Sequence, residues 1–315
     1  GNKRVCFRHP SYYEKLIMAF NLSAKYDSSP YPLHLIVIGK QNGGKSKTQE
    51  CNLEKMNEIL PIIEGSGSTM KSLIPSFNSQ HTKAGSLIEA NRICFVDEFF
   101  RILMRVDKDE RENQLTHLNP LLEHKMRRFG SGNNQLDAQM TAKLFAVTNP
   151  VFGTSNMQTL CNKFDNSFIS RVLIWFQDDE HYAQITNKTE NDLKILEGDI
   201  NHDLFLSIYD YCNSFQVVFD RQRVLQIYEV GKELIRDLYP NVQSVYGGRY
   251  KHHIFCLVDG LVKLRCIIER DASFTANEKD YTNLEEIWQR MLIGWVKGIQ
   301  HERFEFGHNK EDRYR

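Results

Sequence analysis

The feature that most constrains this chain is a glycine-rich octet that directly follows a short apolar run. Residues 35–38 read LIVI and residues 39–46 read GKQNGGKS, which matches the phosphate-loop pattern G-x-x-x-x-G-K-[ST] at every fixed position. An apolar run without alternation predicts a strand that is buried on both faces of a parallel sheet. Glycines after such a strand let backbone N–H groups turn towards phosphate oxygens, and the following helix directs its positive end at the same anion. The sequence therefore predicts a nucleotide site at the end of this strand.

The octet also assigns roles to individual residues. We expect Lys45 to reach the β- and γ-phosphates and the Ser46 hydroxyl to bind Mg²⁺. The alternative, a glycine turn with only a structural role, is disfavoured by the strand that precedes it. The expected phosphate-binding set is Gly39, Lys40, Gln41, Asn42, Gly43, Gly44, Lys45 and Ser46.

Two later apolar runs end in polar residues that suit the same site. Residues 93–98, ICFVDE, and residues 143–150, KLFAVTNP, each predict a buried strand, and the carboxyl ends of parallel strands share the ligand-binding edge of a sheet. We expect Asp97 to hold Mg²⁺, Glu98 to polarise the attacking water, and Asn149 to hydrogen-bond the γ-phosphate or that water. An apolar run followed by two acids would otherwise indicate a solvated strand end. The phosphate loop favours the catalytic interpretation.

Two arginine-containing segments lie further along the chain. Arg171 precedes a fourth apolar run, residues 172–176, where a lone arginine would ordinarily form a surface ion pair. Residues 127–134, RRFGSGNN, predict a hairpin whose turn carries glycine and asparagine. Its candidates for contact with a nucleic-acid backbone are Arg127, Arg128 and Asn133, although an ordinary exposed turn explains them equally well.

Helical periodicity predicts the remaining architecture. We expect an α/β nucleotide-binding unit over residues 1–185 and a helical unit over residues 186–315, joined by a polar, acidic linker at 177–200. Trp288 and Trp295 are expected in the core of the helical unit. The predicted helices are 12–24, 45–59 and 114–126 in the first unit, then a bundle of four in the second, 203–215, 221–238, 250–269 and 283–300.

Composition excludes several classes of function. The 40 basic residues balance 40 acidic ones, so any contact with nucleic acid must come from local basic patches. The seven cysteines include no C-x-x-C pair, which favours reduced core thiols, and His252-His253 has no third ligand at a metal-binding spacing. Without a run of about 18 apolar residues or a signal-peptide pattern, we expect a cytoplasmic or nuclear protein with no membrane segment.

Taken together, strands that end in GKS, DE and NP, then an arginine, then a helical segment resemble the AAA+ ATPase module. Four short blocks are similar to those of minichromosome maintenance (MCM) helicases. The resemblance covers most of residues 8–300, but only these blocks are specific. They are EGSGST at 64–69, AGSLIEANRICFVDEFF at 84–100, FAVTNP at 145–150 and ISRVLIWF at 169–176.

The resemblance implies a P-loop NTPase with a central parallel sheet flanked by helices, followed by an all-helical lid, that uses ATP and Mg²⁺. It implies that Asn149 senses the γ-phosphate and that Arg171 is a finger inserted into the neighbouring subunit's nucleotide. It likewise makes Arg249 the lid arginine, also acting across the interface. The implied assembly is a ring, expected to be a hexamer, of this chain or of related subunits around single- or double-stranded DNA.

The chain departs from the MCM pattern at two places. The hairpin lysine of that family corresponds to Ser131, which leaves Arg127 and Arg128 as the nearest cations, and the residues after the serine–arginine pair are Val172 and Leu173. The first departure puts coupling to DNA in question. Two alternatives therefore stay open: an AAA+ scaffold that binds nucleotide without catalysis, and an AAA+ remodeller that acts on protein.

Overall fold

In the computed structural model, twelve ranges of the chain are described, and they contain nine strands and twelve helices. The ranges are 11–24, 32–40, 45–46, 62–63, 68–77, 82–90, 92–131, 134–150, 154–177, 202–236, 240–247 and 249–299. The strands are β1 (Leu35–Ile38), β2 (Ile62–Ile63), β3 (Ser76–Phe77), β4 (Thr82–Lys83), β5 (Ile93–Val96), β6 (Arg127–Ser131), β7 (Asn134–Ala138), β8 (Lys143–Thr148) and β9 (Leu173–Phe176). The helices are α1 (Tyr12–Leu22), α2 (Met70–Leu73), α3 (Ser86–Glu89), α4 (Phe99–Met104), α5 (Lys108–Leu122), α6 (Met157–Lys163), α7 (Asn166–Ile169), α8 (His202–Asn213), α9 (Arg221–Ile235), α10 (Pro240–Val245), α11 (Tyr250–Glu269) and α12 (Glu278–Lys297).

A parallel sheet forms the centre of the α/β architecture. Its five strands lie in the order β2-β5-β8-β1-β9, and every neighbouring pair is parallel. All residues of β1, β5, β8 and β9 are buried, as the apolar runs predicted, because helices cover both faces of such a sheet. The position of β8 between β1 and β5 brings the residues that follow these three strands to one edge.

Helix α1 packs one face against the long helix α11. Ser11 caps α1, with its hydroxyl accepting from the backbone of Glu14 and the Glu14 carboxylate accepting in return, which satisfies two otherwise unpaired N–H groups. The contact with α11 is close at Gly260, where a Cβ would lie 2.0 Å from the backbone oxygen of Ala19. Glycine at this position therefore sets how near the two helices come.

Several predicted boundaries were wrong, because caps rather than apolar periodicity ended the helices. Helix α1 ends at Leu22 instead of residue 24, since Ser23 is extended and its N–H closes the last turn on Ala19. Helix α5 was predicted at 114–126 but occupies 108–122; it starts after the Asp107 cap and precedes His124, which has a φ of 52°.

The helical region past residue 201 contains a helix that the sequence prediction omitted. The four predicted helices are present as α8, α9, α11 and α12, with ends shifted by up to a few residues, and Pro240 begins the short helix α10 rather than a loop. Proline suits this first position because it has no N–H to leave unpaired. Trp288 and Trp295 are each 1% exposed, which confirms their prediction as core residues.

Some predicted features lie outside the described residues. They are the helix beyond residue 46, residues 64–67 of the block at 64–69, and the linker at 178–200. The five cysteines in the described ranges are free and buried. Among the described helices, none combines the length and apolar character required to cross a bilayer.

Candidate nucleotide site

Three residues that follow neighbouring strands form a hydrogen-bonded chain at one edge of the sheet. The ammonium of Lys45 donates to the side-chain oxygen of Asn149 at 3.0 Å and to the backbone oxygen of Lys40 at 2.6 Å. The amide Nδ2 of Asn149 donates to Oε1 of Glu98 at 2.5 Å. Since its oxygen faces the cation and its nitrogen faces the carboxylate, the amide of Asn149 is oriented by both partners.

The acidic pair after β5 has a constrained backbone. Glu98 lies in the left-handed region, with φ 51° and ψ 40°, at the start of α4, a conformation that costs a non-glycine residue about 1–3 kcal/mol. Its backbone N–H donates to the carboxylate of Asp97 at 2.9 Å. Oε2 of Glu98 is buried without a hydrogen bond from any described residue, and Nε of Arg101 lies 3.6 Å from it. Such strain and an unpaired buried oxygen are typical of functional sites.

Burial shifts the pKa values of Lys45 and Glu98, the two ends of the hydrogen-bonded chain. Desolvation lowers the pKa of Lys45 to about 8, although Glu98 and Asp97 act in the opposite direction. Desolvation also raises the pKa of Glu98, against the effect of Arg101 and Lys45, while Asp97 adds to the increase. A partly desolvated ammonium gains most from a new anion, and a carboxylate of raised pKa is suited to accept a proton near neutral pH.

Gly39, the first residue of the octet, lies close to the side chains of Gln177 and Lys45. A Cβ on Gly39 would lie 2.4 Å from Oε1 of Gln177 and 2.9 Å from Cδ of Lys45, so a larger residue would displace the lysine. Ser46 and Asp97 offer hydroxyl and carboxylate oxygens, the donors that Mg²⁺ prefers, and this donor set fits the predicted metal. Gln41, Asn42, Gly43 and Gly44 lie outside the described residues.

Sequence reasoning missed Tyr13 as a neighbour of the octet. The hydroxyl of Tyr13 in α1 donates to the backbone oxygen of Lys45 at 3.1 Å, and the ring is 1% exposed. One aromatic residue on the apolar face of a helix gives no signal of this contact, since packing alone would explain it.

A second polar cluster gathers both predicted arginines around a carboxylate that the sequence did not indicate. Nη2 of Arg171 lies 2.6 Å and Nη2 of Arg249 lies 2.8 Å from Oε1 of Glu123, and Nζ of Lys125 lies 2.5 Å from Oε2. The Glu123 side chain is only 4% exposed. Burial raises its pKa, but Lys125 and the two arginines outweigh burial, so the pKa of Glu123 is lower than usual. Arg171 therefore forms a buried ion pair, rather than a surface one.

The predicted hairpin is confirmed, but its arginines have partners within it. Arg128 binds the carboxylate of Asp137 on the opposite strand through two hydrogen bonds of 2.8 Å. The Arg127 guanidinium lies over the ring of Phe129, 5.9 Å from its centre. Asn133 is outside the described residues.

His253 is buried against the segment that carries Arg171. Its Nε2 lies 3.1 Å from the backbone oxygen of Ser170, and burial lowers the pKa of the ring to about 4, so the imidazole is neutral at pH 7. Among the residues described by the structure, no three His, Cys, Asp or Glu side chains come together as metal ligands.

Comparison with known proteins does not assign the chain to a family. None of the known protein-family profiles matches the chain, and none of the curated protein sequences is significantly similar to it. The functional interpretation consequently depends on the sequence motifs and on the geometry of the two clusters.

Proposed function

We propose that this chain is an MCM-like AAA+ motor domain that hydrolyses ATP at sites between subunits and translocates on DNA. The observation that carries the proposal is the chain of Lys45, Asn149 and Glu98 beside the phosphate-loop octet. These residue types match the needs of phosphoryl transfer, which are a cation for the phosphates, an amide for the γ-phosphate and a carboxylate for water. A structural glycine turn requires none of them.

In the proposed mechanism, the side chains exchange internal partners for the substrate. Lys45 gives up the oxygens of Lys40 and Asn149 and binds the β- and γ-phosphates of ATP, whose negative charge favours the ammonium form of a lysine whose pKa is lowered by burial. Asn149 then turns its amide to the γ-phosphate. Glu98 accepts a proton from the attacking water. Ser46 and Asp97 would hold Mg²⁺, which would supply positive charge to neutralise the phosphates.

The arginine cluster supplies the contribution of a second subunit. Arg171 and Arg249 would stabilise charge that develops on the nucleotide of the neighbouring subunit, because arginine fingers add about 10³- to 10⁵-fold to the rate. The side chains of Arg171 and Arg249 are 12% and 31% exposed, so an edge of the pair reaches the surface. An isolated monomer should hydrolyse ATP poorly, and a ring of this chain or of related subunits should be active.

A second candidate, an AAA+ remodeller or scaffold without helicase activity, is favoured by the hairpin. Ser131 stands where the MCM pattern has lysine, and the charge of Arg128 is compensated by Asp137. A hairpin with so little uncompensated positive charge would bind a phosphate backbone weakly. The remodeller would share the ATPase site and differ only in what the motor moves, whereas the scaffold would bind nucleotide without hydrolysing it.

The decisive experiment measures ATPase activity against protein concentration, with and without single-stranded DNA. Specific activity should increase with concentration as rings assemble, and DNA should stimulate it with a steep salt dependence. Glu98→Gln should bind ATP with unchanged affinity while hydrolysis falls by about 10²- to 10⁴-fold. Glu112→Gln is the matched control, since Glu112 is an exposed carboxylate paired only with Lys108 among described residues.

Each outcome separates the candidates. Activity that increases with concentration but not with DNA would favour the remodeller, and nucleotide binding without hydrolysis would favour the scaffold. Turnover by Glu98→Gln equal to that of the wild type would remove Glu98 from the catalytic role. No hydrolysis at any protein concentration would refute the motor proposal itself.

A further inference from the structure

Glu123 is a buried carboxylate surrounded by cations, an arrangement that hydrophobic packing alone does not require. Its carboxylate is 4% exposed and has three cations around it, so the cluster carries an excess of positive charge. Leaving a carboxylate buried is costly unless charged partners compensate it, and leaving two guanidinium groups side by side is costly unless an anion lies between them. Each component of the cluster therefore depends on the others.

The bridging oxygen fixes how the two arginines lie relative to each other. Both Nη2 atoms contact the same atom, Oε1 of Glu123, so the two guanidinium groups are separated by no more than two ion-pair distances. Arg171 follows α7 beside the sheet, whereas Arg249 starts α11 in the helical region. Glu123 thus joins two arginines from different parts of the chain into one cationic pair.

The backbone around Glu123 is rigid enough to position a side chain. Its N–H bonds to the last carbonyls of α5, and His124 turns the chain with a φ of 52°. The His124 ring contacts the backbone oxygen of Ala142 at 3.0 Å, which ties this turn to the start of β8. Positioning residues act best when their own conformations are fixed by such contacts.

We infer that Glu123 is a positioning residue for the reaction: it holds Arg171 and Arg249 side by side so that both engage one anionic group, the terminal phosphate of ATP on a neighbouring subunit. The inference rests on the proposed function. Glu123 does not touch substrate. It acts through the guanidinium groups by contacting Nη2 of each. Nη1 of Arg171 donates to the backbone oxygen of Ser167, and Nη1 of Arg249 donates to the hydroxyl of Ser170. Both arginines would therefore exchange these partners for phosphate, which guanidinium groups bind through paired N–H donors.

The test compares Glu123→Gln with the wild type at protein concentrations where specific activity no longer increases. Glutamine has the same shape but no charge, so the two guanidinium groups repel each other and lose their alignment. We expect kcat to fall by about 10- to 100-fold, while KM for ATP, set mainly by Lys45 and the octet, changes by less than about twofold. Glu123→Asp restores the charge and should recover part of the loss.

Two further variants distinguish positioning from a general structural effect. Glu112→Gln removes the same charge from an exposed position on α5, the helix that ends just before Glu123, and should leave kcat unchanged. Arg171→Ala combined with Glu123→Gln should lose less activity than the two single losses multiplied together, because only Arg249 is then left for Glu123 to position. If Glu123→Gln does not fold, Glu123→Asp replaces it, since the shorter side chain keeps the charge but draws the carboxylate away from both arginines, and it should show the same division between kcat and KM with a smaller loss of kcat.

The outcomes of this test and of the proposed function are distinct. A wild type that hydrolyses ATP together with a fully active Glu123→Gln overturns the inference and leaves the proposed function standing. Additive losses in the double variant also overturn it. A wild type with no hydrolysis refutes the proposed function, and the role of Glu123 in hydrolysis falls with it.

Discussion

The hydrogen bond between Asn149 and Glu98 can be tested with a substitution that changes the charge of the side chain but not its shape. Asn149→Asp keeps the size of the side chain but replaces the Nδ2 donor, 2.5 Å from Glu98 Oε1, by a carboxylate oxygen. Two carboxylates this close cannot both be ionised without strong repulsion. The pair should therefore retain one shared proton at a pH where Glu98 in the wild type is ionised.

The size of the effect follows from the distances. Two unit charges about 4 Å apart repel by about 4 kcal/mol at an effective dielectric constant near 20, or about 3 pKa units at 1.36 kcal/mol each. Lys45, which lies 3.0 Å from the other oxygen of the same side chain, offsets part of this repulsion, and solvent reaches Glu98, whose side chain is 18% exposed. We expect the pKa that governs hydrolysis to increase by about 2 units.

The assay is the pH dependence of kcat/KM for ATP. A general base must be ionised, so kcat/KM falls as the pH drops through its pKa, and the acidic limb for Asn149→Asp should lie about 2 pH units above that of the wild type. Asn149→Ala is the control, because it loses the amide without adding a charge. Its kcat should fall, with a much smaller displacement of the acidic limb.

Stability provides a second measurement if turnover of Asn149→Asp is too slow. A carboxyl pair whose pKa is raised in the folded state binds a proton more tightly than the unfolded chain does, so its contribution to stability decreases as the pH rises. The free energy of unfolding of Asn149→Asp, measured by urea denaturation, should therefore fall further below that of the wild type as the pH rises from 5 to 8. An acidic limb that coincides with the wild type's, together with a constant deficit, would refute the hydrogen-bonded chain.

Three other outcomes follow from contacts on the same scaffold. Gly260→Ala would set a methyl group 2.0 Å from the backbone oxygen of Ala19, and we expect the free energy of unfolding to fall by about 1–3 kcal/mol or more in urea denaturation. Wild-type kcat/KM should decrease above pH 8, because Lys45 has a pKa of about 8 and its neutral form no longer attracts phosphate. Arg171→Ala should act dominantly when mixed with wild-type chains, because in the proposed ring each Arg171 serves a neighbour; ATPase activity plotted against the variant fraction should fall below the line expected for independent subunits.

Each of these predictions has a control or a contradictory result. Gly294→Ala is the matched control for Gly260→Ala, since its Cβ would meet its nearest atom, the Phe176 oxygen, only at 3.3 Å. Because alanine favours helices over glycine by about 1 kcal/mol, a Gly260→Ala protein that gains stability would show that α1 and α11 are not in close contact. A kcat/KM that stays constant to pH 10 would contradict the desolvation of Lys45, and strictly proportional activity in mixtures would contradict a shared site.

Much of the candidate site was predictable because its signals are local. An apolar run before the octet predicted β1, and the runs before Asp97 and Asn149 predicted β5 and β8 within two residues at each end. Helix ends were less predictable: Asp107 begins α5 several residues before the apolar face, and His124 follows it with a left-handed backbone. Helix caps depend on single polar residues and on backbone dihedral angles, and the spacing of apolar residues carries no information about either.

Contacts between distant segments could not be predicted from these patterns. Glu123 looked like one more charged residue after a leucine-rich helix, and Tyr13 like one more apolar position in α1. Arg128 looked available to a polyanion, but register brings Asp137 opposite it in the hairpin. In each case the partner is chosen by tertiary packing or strand register, neither of which has a signature in the residue itself.

By itself, the sequence determined that buried parallel strands end in a phosphate-loop octet, an acidic pair and an asparagine, since runs of apolar residues must be covered on both faces and glycines must turn. Only the tertiary structure decided that β8 lies between β1 and β5, so that Asn149 bridges Lys45 and Glu98, and that Glu123 lies between Arg171 and Arg249. The physical reason is that an apolar strand can be buried equally well at several positions in a sheet. Its order is chosen by the packing of the whole chain, and that order brings the chemical groups together.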